Sequence, residues 1–232
     1  MSEQAELSRT DPEFWERWEA FAGDEVPHEA GQELNGPTRS LAILAALLGV
    51  QGKEAFAEFL PRALESGLTP VMVREAVYQA VAYLGFGKVR PFLTALNEEL
   101  RRQGVPLPLP GQATATPETR LEKGAQVQAE IFGEQMREAW KNGPIERWLA
   151  ANCFGDYYTR GGLSLNQREM LTFCFLMAQG GCEPQLAAHV QGNLRLGNDA
   201  AFLTRVVSQC LPYIGYPRSL NALRCIREAA SL

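Results

Sequence analysis

An all-α fold built from two copies of one helical unit is predicted by three features of the sequence. Apolar residues recur at the spacing of amphipathic helices along most of the chain. Prolines at helix starts and glycines after helix ends divide these stretches. The chain also repeats itself at an offset of about 130 residues. Two such thin units are expected to pack against each other or against further copies from other chains.

Composition places the chain in the ordinary globular class. Its 232 residues, 46% hydrophobic and 21% charged, suffice for a sizeable core. A net charge of -5 without any run of Lys and Arg argues against a nucleic-acid or membrane-surface partner. The N-terminus lacks the pattern of a signal peptide, and no apolar run reaches membrane-spanning length. Five scattered cysteines, an odd number, indicate reduced thiols and a cytoplasmic location.

The first half is predicted to contain a strap and a four-helix unit. Residues 1–35 form the strap, in which Asp11 and Pro12 begin a helix with aromatic residues at helical spacing. Residues 36–103 form the first repeat. Its four helices are expected at 38–48, 54–65, 70 to the Gly85 turn, and 89–103.

A linker and the second repeat follow. Residues 104–117 are rich in proline and small polar residues and predict an extended linker. The second repeat, residues 118–232, is expected to open with a long amphipathic helix from 116 to about Trp140. Later helices are expected at 184–196 and from 199 to about Cys210, where Pro212 should end the helix.

The two halves correspond residue by residue. Arg39 matches Arg168 at an offset of 129, and five further residues match after one inserted residue. The matches fall on caps, turns and apolar faces in the same order, which is the pattern of a tandem repeat. These five pairs are Leu64 and Leu194, Gly67 and Gly197, Gln79 and Gln209, Tyr83 and Tyr213, and Gly85 and Gly215.

The stretch from residue 179 to 217 carries the candidate chemistry. It holds His189, one of two histidines, on the helix that begins near Pro184. Cys182 lies at the entrance of this helix, where the positive end of the helix dipole is expected to lower the thiol pKa. A tight metal-ligand pair such as Cys-x-x-Cys is missing, so neither a metal nor another cofactor is predicted.

These motifs resemble the carboxymuconolactone decarboxylase family, whose superfamily includes the alkyl hydroperoxidase D group. The resemblance rests on an apolar helix bearing Arg168 and Glu169, a Gly-Cys corner, the helix of His189, and a final Tyr-x-Gly-Tyr-Pro turn. It spans about 38–100 and 154–227, and is strongest in the second copy. It implies an all-helical, alkyl hydroperoxidase D-like bundle that assembles into rings of six repeats. A tandem chain would then form a homotrimer.

The sequence departs from the family patterns in both copies. Peroxidase members carry Cys-x-x-Cys-x-x-x-His with an upstream Glu. Here Cys182 and His189 keep their places and Glu169 lies close to the upstream Glu, but Gln185 replaces the resolving cysteine. Decarboxylase members use the His as acid/base with a Glu in the next helix, and Arg205 stands in that place.

The first repeat lacks these groups. It has Glu75 at the position of Arg205, but Phe59 where the histidine should stand. We therefore expect one site per chain, centred on the second repeat, with Glu75 and Tyr78 as candidates to reach it from the first.

The candidate site residues each have a structural alternative. His189, Cys182 and Glu169 are the candidate catalytic residues, and Arg205, Gln185 and Tyr213 are the candidates for substrate binding. His189 and Cys182 could be structural, and Glu169 could form an ion pair with Arg168. Arg205 could be a solvated helix residue or hold a substrate carboxylate.

Three functions remain open for a protein with a small-molecule substrate. The first is acid/base decarboxylation or isomerisation of a carboxylate or lactone by His189. The second is thiol-dependent peroxide reduction, a peroxiredoxin-type activity, by Cys182 with an external resolving thiol. The third is a non-catalytic oligomeric binding protein on the same fold.

Overall fold

The computed structural model describes residues 3–230, and side chains from residue 6 onward. Every regular element in this range is helical, which confirms the all-α prediction. No helix within it is long and apolar enough to cross a membrane. The α-helices are α1 (Glu3–Thr10), α2 (Pro12–Glu19), α3 (Val26–His28), α4 (Gly36–Gly49), α5 (Lys53–Glu65), α6 (Pro70–Leu84), α7 (Phe86–Arg102), α8 (Arg120–Phe132), α9 (Pro144–Trp148), α10 (Leu165–Gln179), α11 (Glu183–Arg195), α12 (Ala200–Ile214) and α13 (Tyr216–Ala230).

Helices α4 and α10 form the centre of the molecule. Most of their residues are buried, because both helices are largely apolar and are covered by the other helices. They approach closely where a Cβ on Gly49 would lie 2.6 Å from Ala178 Cβ. Gly49 and Ala178 are equivalent at the offset of 129, so the two repeats meet along an approximate twofold axis and share one core.

Local capping signals set the starts and ends of the helices. Thr69 and Asp199, equivalent in the two repeats, accept hydrogen bonds from Met72 N and Phe202 N at the starts of α6 and α12. The same two helices end at Gly85 (φ 84°) and Gly215 (φ 79°), a backbone conformation that favours glycine. The repeated cap and turn residues therefore produce the same helix pair twice.

Reciprocal hydrogen bonds join the two repeats. Arg168 NH1 donates to Gln79 Oε1 at 3.0 Å, and Arg39 Nε donates to Gln209 Oε1 at 2.7 Å. Each arginine thus bonds the glutamine of the other copy. In the sequence, Arg39 matches Arg168 and Gln79 matches Gln209. The approximate twofold axis therefore relates one hydrogen bond to the other.

Each four-helix unit, α4 to α7 and α10 to α13, follows a short helix and a π-helical segment. Residues Ala20–Glu25 are π-helical after α2, and residues Leu149–Tyr158 are π-helical after α9. The preceding helices both carry the tripeptide Glu-Arg-Trp, at 16–18 and 146–148. The strap of the first repeat therefore has a counterpart in the second, which was not predicted from the sequence.

Several helix boundaries differ from the prediction, among them the ends of α8 and α12. The helix expected to reach Trp140 ends at Phe132, because Gly133 adopts a φ of 108° and short 3₁₀ turns follow. Helix α12 continues through Pro212 to Ile214. A proline in the last turn removes one hydrogen bond close to the end of the helix, where the helix is about to stop anyway.

Candidate active site

His189 and Glu169 are brought together by the packing of α11 on α10. His189 Nδ1 lies 2.8 Å from Glu169 Oε2, and the exposed fractions of the two side chains are 10% and 0%. Asn193 holds the two helices in register: its Nδ2 donates to His189 O at 2.7 Å and to Glu169 O at 3.0 Å. Two of the predicted catalytic residues therefore form a buried, hydrogen-bonded pair.

The second carboxylate oxygen of Glu169 is also occupied. Tyr158, at the end of the second π-helical segment, donates its hydroxyl to Glu169 Oε1 at 2.7 Å. The same hydroxyl lies 2.6 Å from Thr172 Oγ1 and 2.9 Å from the Tyr83 hydroxyl. Cys153 Sγ donates to the Tyr83 hydroxyl at 3.6 Å. The pair thus belongs to a larger buried network, to which the first repeat contributes Tyr83.

The hydrogen bonds of this network converge on Glu169. Burial raises the pKa of Tyr158 and of Tyr83 well above the ordinary value, so both phenols keep their protons. Burial likewise raises the pKa of Cys153 to about 12. Because Tyr158 uses its proton on Glu169, its oxygen accepts from Thr172 and Tyr83. The hydrogen bonds donated by Cys153, Tyr83, Thr172 and Tyr158 therefore all lead to the carboxylate of Glu169.

The other nitrogen of His189 is not used by this network. Its Nε2 has no hydrogen-bond partner among the described residues. The imidazole lies between the rings of Phe132 and Tyr83, with centroid distances of 5.2 Å and 5.5 Å. A carboxylate on Nδ1 favours the tautomer with the proton on Nδ1, which leaves Nε2 as a base. The contacts with Glu169, Phe132 and Tyr83 fix the orientation of the His189 ring before a ligand binds.

Gly192 makes room for this arrangement. A Cβ at this position would lie 2.7 Å from Glu169 Oε2 and 2.7 Å from Ile131 Cγ2. Real Cβ atoms do not approach other atoms so closely, so a larger residue would have to displace the carboxylate. The glycine is needed for the approach of α11 to Glu169, not for backbone freedom.

Cys182 and Gln185 lie at the start of α11, away from the His189 network. Cys182 is the N-cap residue, and its Sγ donates to Leu176 O at 3.5 Å. Its pKa is raised by partial burial and by the nearby charge of Glu183, so the predicted lowering of the thiol pKa is wrong. Cys182 precedes His189 by seven residues, about 10 Å along the helix axis. Gln185 is exposed to solvent.

Arg205 and Tyr213 are not brought to His189. Arg205 lies in a surface depression with Gln32 and Arg227, its guanidinium 5.9 Å from the Phe202 ring centroid. Tyr213 contacts Phe59 in the first repeat, with ring centroids 6.0 Å apart. The offset identified Tyr83 and Tyr213 as equivalent residues, but each one faces the site of the other copy.

The ion pairs also differ from the expected ones. Glu169 does not pair with Arg168, because it turns toward His189, while Arg168 NH2 contacts Glu75 Oε2 at 3.3 Å. Glu75 is consequently bound within a cluster of arginines and does not reach the histidine. Its neighbour Gln79 does join the network, donating to Thr172 Oγ1 at 2.9 Å.

The first repeat presents a different constellation at the equivalent place. Phe59 stands at the position of His189, Ser40 at that of Glu169 and Arg62 at that of Gly192. Phe59, Arg62 and Tyr213 line a cavity of about 430 Å³ together with Trp15 and Trp18 of the strap. The acid/base pair is thus a feature of the second copy.

Five residues of the network were not identified as site residues from the sequence, namely Gln79, Tyr83, Tyr158, Thr172 and Cys153. Gln79 and Tyr83 had a signal, their matches with Gln209 and Tyr213. Within residues 3–230, no group of three or more His, Cys, Asp or Glu side chains is placed to hold a metal ion.

The fold and site define an all-α tandem-repeat protein with one buried His-Glu pair. Comparison with known proteins agrees: the sequence pattern of the Carboxymuconolactone decarboxylase family matches residues 12–98 and 144–228. The chain belongs to this family, which confirms the resemblance. The two matched segments also confirm the tandem repeat.

The chain is also similar to individual proteins. A 4-carboxymuconolactone decarboxylase of Acinetobacter baylyi is 25% identical over 117 residues, which cover 48% of this chain and 87% of the relative. A solved structure from Burkholderia xenovorans LB400, described as a candidate gamma-carboxymuconolactone decarboxylase subunit, aligns with a TM-score of 0.57 at 21% identity. This alignment covers 100% of this chain and 91% of the other. At 21% identity, this likeness shows the fold alone.

Proposed function

We propose that this chain is an acid/base enzyme acting on a small carboxylate- or lactone-bearing substrate, with His189 as the proton-transfer group. The observation that carries the proposal is the 2.8 Å contact between His189 Nδ1 and the buried Glu169, with Nε2 left unpartnered. A histidine held in this way can give or take a proton at Nε2. The name of the Acinetobacter relative supports decarboxylation of a carboxylated lactone.

The chemistry assigned to His189 can be written as one balanced step. The bond between the substrate carbon and its carboxylate breaks, CO₂ leaves, and the electron pair stays on the carbon. That carbon takes a proton from Nε2 of protonated His189, and water later restores the proton. Glu169 stabilises the imidazolium between turnovers, since it already accepts from Nδ1. In an isomerisation, neutral His189 would remove and return the proton instead.

The thiol-dependent alternative has less support. Cys182 is partly exposed at a helix N-cap, which favours reactivity. However, its pKa is raised, and Gln185 cannot resolve a sulfenic acid. Both observations favour proton transfer over peroxide reduction.

His189→Asn tests the proposal, with His28→Asn as the matched control. His28 is the other histidine of the chain and is exposed, bonded to Asp24. We expect His189→Asn to lower turnover of 4-carboxymuconolactone by a factor of roughly 10²–10⁴, the contribution of one general acid/base. His28→Asn should leave turnover unchanged. Circular dichroism and unfolding curves establish that both variants are folded.

Cys182→Ser separates the two chemistries in the same preparation. This variant should retain lactone turnover, and the wild-type chain should consume peroxide with dithiothreitol no faster than an ordinary free thiol. Peroxide consumption that depends on Cys182, together with lactone turnover that survives His189→Asn, would assign the site to thiol chemistry. A folded wild type that turns over neither substrate would leave the binding-protein alternative.

A further inference from the structure

A second cavity carries an unusual balance of charge. It measures about 430 Å³ and lies between α6, α7 and residues 107–111 of the linker. Its polar lining side chains are Arg74, Arg101, Arg160, Tyr78 and Asn97, and no Asp or Glu lines it. Every one of these side chains can donate hydrogen bonds, and three carry a positive charge. In a chain of net charge -5, this is a local concentration of cations.

Around this cavity, the described residues include more arginines than carboxylates that contact them. Glu75, fully buried, contacts Arg74 at 3.3 Å, Arg160 at 2.7 Å and Arg168 at 3.3 Å. Three guanidinium groups therefore share one carboxylate, and Arg101 adds a fourth at the cavity. Arg74 and Arg168 are 6% and 0% exposed. Buried charges are costly without a partner, so a bound anion would stabilise this cluster.

Other contacts hold the guanidinium groups in place without supplying negative charge. Arg74 NH1 and NH2 donate to Leu109 O at 3.0 Å and Pro110 O at 2.7 Å, while its buried Nε has no partner. The guanidinium carbons of Arg74 and Arg160 lie 5.4 Å and 5.3 Å from the centroid of the Tyr78 ring. The cations are therefore already positioned, which lowers the entropic cost of binding an anion.

We propose that this cavity is a binding site for a small organic anion bearing carboxylate or phosphate groups. Arg101 and Arg160 contact the anionic group, since guanidinium matches both chemistries. Leu93 and Leu107 line the same cavity and contact the apolar part of the ligand. The site is separate from the proposed reaction at His189 and does not depend on it.

Titration calorimetry of the full chain tests this site with two probes, inorganic phosphate and succinate, in chloride buffer of equal ionic strength. The wild type should bind at least one of them with saturation at one site per chain, and the stronger probe identifies the preferred chemistry. Arg101→Gln should weaken that binding about tenfold, the loss of one charged hydrogen bond. Arg102→Gln is the control: it removes the same charge from the same helix, but Arg102 pairs with Glu99 at 2.7 Å.

Two further variants make the result decisive. Leu93→Glu places a carboxylate in the cavity, so it should abolish probe binding and raise the unfolding temperature. His189→Asn should bind the probes like the wild type, which separates this site from the proposed activity. The proposal is overturned if the wild type shows no saturable binding of either probe, or if Arg101→Gln and Arg102→Gln weaken binding equally.

Discussion

At the scale of the residue, Gly192 decides whether Glu169 can reach His189. The glycine lies inside α11, where alanine is ordinarily favoured by about 1 kcal/mol. Here an added Cβ would meet Glu169 Oε2 at 2.7 Å. We expect Gly192→Ala to displace the carboxylate, lowering catalytic efficiency at least tenfold while changing the free energy of unfolding by less than about 3 kcal/mol. Steady-state kinetics and urea unfolding measure the two effects.

Gly87→Ala is the matched control for this substitution. Gly87 lies in the first turn of α7, and a Cβ there would meet no atom within 4 Å. Its replacement should leave activity unchanged and raise the free energy of unfolding by up to about 1 kcal/mol. Full activity in Gly192→Ala would show that the Glu169 position is not needed for turnover.

The individual residues show why only part of the site was predictable. His189 and Glu169 were identified because they carry family-like spacing within one repeat. Tyr83 was missed as a site residue, although its match with Tyr213 was found. An offset shows which residues are equivalent, but not which copy each one faces. Tyr158 donates to Glu169 and also contacts Tyr83, 75 positions away in the sequence, and no motif in the single sequence marks either contact.

At the scale of the element, the reciprocal Arg-Gln bonds join the repeats with unequal burial. Arg168 is fully buried, whereas Arg39 is partly exposed. Gln79 accepts from Arg168 and donates to Thr172 Oγ1 at 2.9 Å and to Arg168 O at 2.8 Å. We expect Gln79→Met to lower the free energy of unfolding by about 2–4 kcal/mol, because it leaves buried donors and acceptors unpaired. Chemical denaturation measures this loss.

Gln209→Met is the equivalent substitution in the other repeat. It releases Arg39 and the carbonyls of Val26 and Gln32, and the contacts with Arg39 and Gln32 are only partly buried. Water can replace these partners in part, so the loss should be smaller, about 1–2 kcal/mol. A larger loss for Gln209→Met than for Gln79→Met would mean that the contact of Gln209 with the strap contributes more to stability than the buried contact of Gln79 does.

Helix boundaries were predictable where local signals determine them. Thr69, Asp199, Gly85 and Gly215 mark helix starts and ends through their own side chains or backbone preferences. The end of α8 was missed because the apolar pattern continues past Gly133, and periodicity alone does not show where the chain turns. Likewise, Pro212 was expected to stop α12, but a proline near the end of a helix breaks few hydrogen bonds.

At the scale of the whole molecule, large apolar residues remain exposed at equivalent places in the two repeats. Phe86 and Tyr216 begin α7 and α13, with exposed fractions of 64% and 61%. In a ring of six repeats, each repeat would contact its neighbours through the same surface, whichever of the two copies it is. The exposed residues are thus consistent with the expected homotrimer, since oligomer interfaces bury aromatic residues of this kind.

We therefore expect the wild-type chain to form a particle of three times its 25.6 kDa mass, and Phe86→Asp to dissociate it. An aspartate in the first turn of a helix interacts favourably with the helix dipole, so the isolated chain should stay folded. Dissociation would then reflect loss of the interface and not unfolding. Thr94→Asp, at an exposed position two turns further along α7, should leave the assembly intact. Light scattering after size exclusion measures the mass, and circular dichroism the fold. A monomeric wild type would contradict the trimer. A Phe86→Asp variant that keeps the wild-type mass would contradict this interface.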